Sequence, residues 1–365
     1  MSKRRFGSIR KLPSGRYQAR YSGPDGRAHA APDTFPTKTD AARWLSGVEA
    51  DFSRGVWLNP DHGRETLASF ADRWMRSHTS LRPRTRELYQ SLLRLHVLPQ
   101  LGTIEVGRLT PSTVRSWHSA LVARSPTATT PAKAYRLLRA MLNTAVADEV
   151  ILRNPCQVKG AGLERSPERK PPSLDTALLI AEEVDPRFRV LVLMAAFVGC
   201  RWGELVALRR HRINMLAGTL DIVEQYVETD GGRLLLGPPK SEAGARTIAI
   251  PPNLLPTIAN HLDEFSEPGA TGLVFVGAKG APLVRRNFSA KWRKAVNAVG
   301  AEGVHFHDMR HLAATLAAAV PGTSTRDLMN RIGHSSPRWL VSFAAWRRFS
   351  FLITREIGWV AGVER

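Results

Sequence analysis

Between residues 8 and 35 the apolar positions come in short runs, GSIRKL, RYQARYSGPDGRAHA and DTF, separated by turn-forming residues. GPDG between two alternating segments is a hairpin signal, because Gly, Pro and Asp suit the backbone of a tight turn. In TKTDAARWLSGVEADFSRG the period lengthens: Ala41, Ala42, Trp44, Leu45 and Val48 follow helical spacing behind a Thr or Asp cap. The pattern predicts a small sheet packed on one helix.

From 64 to 157 the helical period dominates. ETLASFADRWMRSH, PRTRELYQSLLRLHVLPQLG, TPSTVRSWHSALVAR and TPAKAYRLLRAMLNTAVADEVI each place apolar residues three or four apart. Thr110-Pro111 and Thr130-Pro131 read as a cap followed by proline at the first helical position. RNPCQV ends the last helix, and the polar run GLERSPERKPPS marks a linker, set at 158–173. Beyond it DTALLIAEEV and FRVLVLMAAFVGC read as core helices. GTLDIVEQYVE, GRLLLGPPK and ARTIAIP read as strands of one small antiparallel sheet, with DGG turning between two of them. Helical patterns return at LLPTIANHLDEF, NFSAKWRKAVNAV, MRHLAATLAAAV and STRDLMNRIG. The fold class is therefore multidomain and mainly α with small antiparallel sheets: a sheet-plus-helix domain (1–60), a helical domain (64–157) and a mixed α+β domain (174–365).

Composition narrows the partner. The chain of 365 residues carries a net charge of +20, which attracts polyanions. The charge is clustered: residues 1–20 hold seven Lys or Arg and no acid, and 331–355 hold no acid. Double-stranded DNA is the expected partner, with Arg10, Lys11, Arg16 and Arg20 of the first sheet as candidate contacts. Cys156 and Cys200 cannot form a disulfide framework, and no CxxC spacing points to zinc. With no apolar run of spanning length and no signal-peptide core, a soluble intracellular protein is expected, with no membrane partner.

Four motifs could carry chemistry. GCRWGELVALR places Arg201 at a helix start with Glu204 three residues on, and PPKSEAGARTIAIP places Lys240 in a turn before a strand. In HFHDMRHLAATL, His307 and Arg310 share a helix face, and in RIGHSS, His334 follows a glycine that ends a helix. His307 and His311 have the spacing of a zinc pair but lack a partnering glutamate or cysteine, so no metal or other cofactor is expected. Two arginines, a lysine and two histidines without a carboxylate cluster suit metal-free phosphoryl transfer on a polyanion. Guanidinium forks bind non-bridging oxygens and offset transition-state charge, and a lysine can protonate the leaving alkoxide.

The order Arg, Lys, His-x-x-Arg, Gly-His, with these surroundings, resembles the tyrosine recombinase family, phage integrases in particular. The resemblance implies an arm-type DNA-binding domain, a SAM-like core-binding domain and a catalytic domain. It implies that Arg201 and Arg310 grip the scissile phosphate, Lys240 acts as general acid, His307 and His334 bond the phosphate or assist proton transfer, and Glu204 orients the first arginine. It further implies a homotetramer on attachment-site DNA acting in a bacterial cytoplasm, with an accessory DNA-bending protein as a candidate partner. In the family a tyrosine attacks to form a 3′-phosphotyrosyl link, usually nine residues after the Gly-His histidine. Here that position is Phe343, and no tyrosine follows Tyr226. An inactivating change at 343, a tail that departs from its ancestor after about Pro337, and a nucleophile supplied from elsewhere by Tyr226 are the alternatives. The integrase reading stands beside that of a catalytically inactive DNA-binding relative.

Overall fold

A computed structural model of the chain describes residues 6–164 and 169–333, which fall in two compact units, 1–167 and 168–365. In the first unit β1 (Ser8–Lys11), β2 (Tyr17–Ser22) and β3 (Ala28–Ala30) form an antiparallel sheet in that order. The GPDG segment closes the second hairpin, where Gly23 N donates to Arg27 O at 2.8 Å and Gly26 takes φ +73°. Helix α1 (Lys38–Ser53) starts at Thr37, whose hydroxyl accepts from Asp40 N. Its Ala41 and Leu45 pack with Ala19, Tyr21 and Ala31, so sheet and helix share one small core.

Helices α2 (Leu67–Ser77), α3 (Pro83–Leu92), α4 (Leu98–Leu101), α5 (Pro111–Arg124) and α6 (Thr129–Ala147) enclose a second core around Phe70, Trp74, Trp117, Leu138 and Met141. α3 and α4 are joined through a π turn, Leu93–Val97, ahead of Pro99, which has no N–H to continue the α-helical ladder. The Thr110 cap is present, accepting from Thr113 N with Pro111 at the helix start. The expected Thr130 cap is not. α6 begins at Thr129 behind Ala128, and Pro131 sits inside the first turn, where the N–H it lacks would have had no partner in the helix.

In the second unit α7 (Leu174–Glu183) and α8 (Pro186–Leu193) are followed by a second π turn, Met194–Val198. Gly199 ends it with φ +81°, and the short helix α9 (Trp202–Val206) begins three residues later. The expected single sheet is in fact two. β4 (Ile213–Asn214), β5 (Thr219–Ile222) and β8 (Arg246–Ala249) make one, and β6 (Gln225–Glu228) with β7 (Leu234–Gly237) make the other. The break falls at Val223–Glu224, where Glu224 turns to accept from Arg209 Nε at 3.0 Å. Helices α10 (Leu255–Glu264), α11 (Arg285–Ala298), α12 (Phe306–Ala319) and α13 (Thr325–Ile332) follow among the described residues. α12 packs along the Met194–Val198 turn, which brings the first and second arginine motifs together. Among the described residues no helix is long and apolar enough to cross a membrane.

Candidate active site

The first motif is built on a reciprocal cap. Arg201 precedes α9 in an extended conformation, and Glu204 in the first turn reaches back to accept from its backbone N–H at 2.8 Å. The same carboxylate accepts from Arg201 Nη1 at 2.8 Å, while Nη2 donates to Gly333 O at 2.9 Å. Glu204 is 1% exposed, so its charge must be matched in place. Burial alone would raise its pKa. The hydrogen bonds and charge of Arg246, then the Arg201 backbone N–H, overcome that and hold it at about 2. Glu204 is thus a fixed anion hydrogen-bonded to both the backbone and the guanidinium of Arg201.

Arg310 lies on α12, 3% exposed, and donates to Gly199 O and Ile332 O. Arg201 and Arg310 therefore hold successive carbonyls at the end of α13. Gly333 caps that helix in the left-handed region, φ +66°, as expected from RIGH, and a Cβ there would press on the Arg246 guanidinium and Ala243 O. Desolvation first, then the repelling charge of Arg201, lower Arg310 to about 9, so it remains a cation at neutral pH. Arg331 is partly buried here and donates to Phe197 O at 2.9 Å.

His307 stands one turn before Arg310 on α12. Desolvation by its neighbours, then the charges of His311 and Arg310, push its imidazole down toward about 4, although the residue as a whole is exposed. It is a neutral ring at pH 7, able to donate one hydrogen bond and accept another. Its ring meets that of His311 edge-on, with centroids 5.2 Å apart. His305 and Asp308 form a cap at the start of α12 in which Asp308 accepts from His305 N at 2.7 Å. Lys240 is exposed, on the segment between β7 and the turn Glu242–Gly244 that leads into β8. His334, Phe343 and the tail to 365 lie outside the described residues. Tyr226 is on β6, partly buried against the core.

One residue that the motifs did not suggest stands at the centre. Arg246, on β8, clasps Glu204 through Nη1 (3.1 Å) and Nη2 (3.0 Å). A signal was available: Arg246 shares its strand face with Ile248 and Ile250, both buried, so a cation falls in an apolar alternation. The result is a cluster of guanidiniums: Arg201, Arg246 and Arg310 gather at the buried carboxylate of Glu204, with Arg331 near Arg246 and Cys200. Such an excess of positive charge in a desolvated place favours an anion.

Of the candidate contacts in the first unit, Arg10 and Arg20 lie on the open face of the sheet, set by the pairs Arg10↔Gln18 and Ser8↔Arg20. Lys11 falls on the opposite face by register, at an exposed strand end. Arg16 is in the intervening turn and is tied to Thr34 by a 2.6 Å bond from Nε to the hydroxyl.

Family models match in three segments: "Phage integrase, N-terminal domain" at residues 5–54, "Phage integrase, N-terminal SAM-like domain" at 66–122 and "Phage integrase family" at 174–345. The chain is 37% identical to the putative prophage phiRv2 integrase of Mycobacterium tuberculosis, over 92% of this chain and 90% of that one. It is 30% identical to the integrase of Mycobacterium phage L5, over 94% of each. In fold it is similar to the Tn1549 transposon integrase in complex with a circular intermediate DNA: TM-score 0.69, 17% identity, 76% of this chain and 95% of that one. It is also similar to a lambda integrase dimer bound to a COC′ core site: TM-score 0.57, 17% identity, all of both chains. Matched along its length by these models and relatives, the chain belongs to the phage integrase family.

Proposed function

We propose that this integrase binds attachment-site DNA and grips one phosphodiester with Arg201 and Arg310. The observation that carries the reading is the group of guanidiniums gathered at the buried carboxylate of Glu204, whose positive excess suits a phosphate. Glu204 fixes the direction of Arg201, and the neutral His307 supplies a hydrogen bond without adding charge. Lys240, in the exposed segment before β8, acts as the general acid for the 5′ oxygen, and His334 joins His307 on the phosphate. Arg10 and Arg20 contact DNA from the open face of the N-terminal sheet, with Lys11 and Arg16 at its edge. The domains are 1–60, 64–157 and 174–365 joined by 158–173, and the working assembly is a homotetramer on DNA inside a bacterial cell. An accessory DNA-bending protein completes the partner list.

Strand cleavage needs an oxygen nucleophile, and Phe343 keeps the ring of a tyrosine without its hydroxyl. The second reading, a DNA-binding integrase that holds the phosphate without cutting, rests on that residue. A nicked suicide duplex carrying the attachment sequence separates them. The full chain should bind it without a covalent adduct, and Phe343→Tyr should form one. An adduct with the unaltered chain would show that another residue attacks. None with Phe343→Tyr would show that position 343 does not face the phosphate.

A further inference from the structure

Arg246 uses all three of its guanidinium nitrogens on the protein. Nε donates to Arg331 O at 2.9 Å, Nη1 to Gly244 O at 2.8 Å and to Glu204 Oε1 at 3.1 Å, and Nη2 to Glu204 Oε2 at 3.0 Å. Its side chain is only 6% exposed. A guanidinium so occupied has little left to offer a substrate phosphate. Its partners, however, lie on three segments that each carry or adjoin a candidate catalytic residue. Glu204 holds Arg201, Gly244 closes the turn after Lys240, and Arg331 is the last turn of α13, three residues before His334.

We infer that Arg246 is the positioning residue of this site: it locks the first arginine motif, the lysine segment and the end of α13 into one register, without touching DNA. The inference rests on the reading of the site as a phosphate grip, but the geometry of the lock can be tested without cleavage. Planarity is what qualifies arginine here, since one rigid fork spans both carboxylate oxygens while Nε points to a third partner. A lysine would keep the charge and lose the span.

The two cysteines provide the readout. Cys200 adjoins Arg201 and is 1% exposed in the second unit, whereas Cys156 is 5% exposed in the first. Burial pushes both thiols up to about 12, so each reacts only when its surroundings open. In the full chain, Arg246→Gln and Arg246→Lys should each speed labelling of Cys200 by a small thiol reagent by roughly tenfold or more, with Cys156 unchanged. Millimolar guanidinium ion should restore protection in Arg246→Gln. In the Phe343→Tyr chain, Arg246→Lys should slow adduct formation by roughly a hundredfold while affinity for the duplex stays within about twofold. Protection of Cys200 in both variants, equal exposure of both thiols, or full protection with Arg246→Lys would overturn the inference. If Phe343→Tyr forms no adduct, the phosphate reading fails, and the thiol rates still decide the role of Arg246.

Discussion

At Glu204 a single carboxylate sits 1% exposed between two guanidiniums, and removing its charge leaves Arg246 buried, and Arg201 partly so, without their anion. Glu204→Gln should therefore destabilise the second unit by about 3–5 kcal/mol, measured by denaturant unfolding. The pH dependence has a definite sign. The folded pKa of about 2 lies below the ordinary 4.5, so Glu204 contributes fully above about pH 4.5 and its contribution is lost as pH falls through 2. His307, held at about 4 against an ordinary 6.5, acts in a higher window: the unfolded chain takes up its proton first, so stability falls as pH drops from 6.5 to 4. Glu204→Gln should abolish the lower part of an acid-unfolding profile, and His307→Gln should flatten the upper part. Arg201, Glu204, His307 and Arg310 were legible in the chain because they sit in short motifs with local spacing. Arg246 was not, because its meaning comes from a partner 42 residues away. Only its place on an apolar strand face betrays it.

At the level of elements, periodicity located nearly every helix, and the departures have local causes. Thr110 caps α5, so Thr110→Ala should cost about 1 kcal/mol, whereas Thr130→Ala should cost much less because α6 starts ahead of it. GTLDIVEQYVE reads as one strand from its β-forming residues, yet its alternation slips at Ile222-Val223 and again at Glu224-Gln225. The chain divides there between two sheets, with Glu224 accepting from Arg209 at the break. In the first sheet, register sorts residues that composition could not. Arg10→Ala and Arg20→Ala should each reduce the slope of log affinity against log salt by roughly one unit for a DNA duplex. Little change on losing both would place the DNA contacts of this sheet elsewhere.

Across the whole molecule, the second unit has its own core, and the first holds two, one under the sheet and one among the helices. A calorimetric scan of Glu204→Gln should therefore show a lowered transition for residues 168–365 and an unshifted one for the helical core. The burden of positive charge belongs to the same scale. Arg310, pulled down to about 9 by burial and by Arg201, is a cation at neutral pH whose charge an anion would stabilise further. Inorganic sulfate should raise the melting temperature of the second unit, and the rise should vanish in Arg310→Ala.

The π turn at Met194–Val198 has one more consequence. It is an inserted residue in what would otherwise be a continuous α-helix running to Gly199. Deleting one of those five residues would let the helix close into regular winding, yet would swing Arg201 about 100° around the helix axis. In the Phe343→Tyr chain, a library selected only for heat resistance should tolerate such deletions, and one selected for adduct formation should discard them. That outcome would identify the irregular turn as a device that aims Arg201 at the expense of regular helix winding.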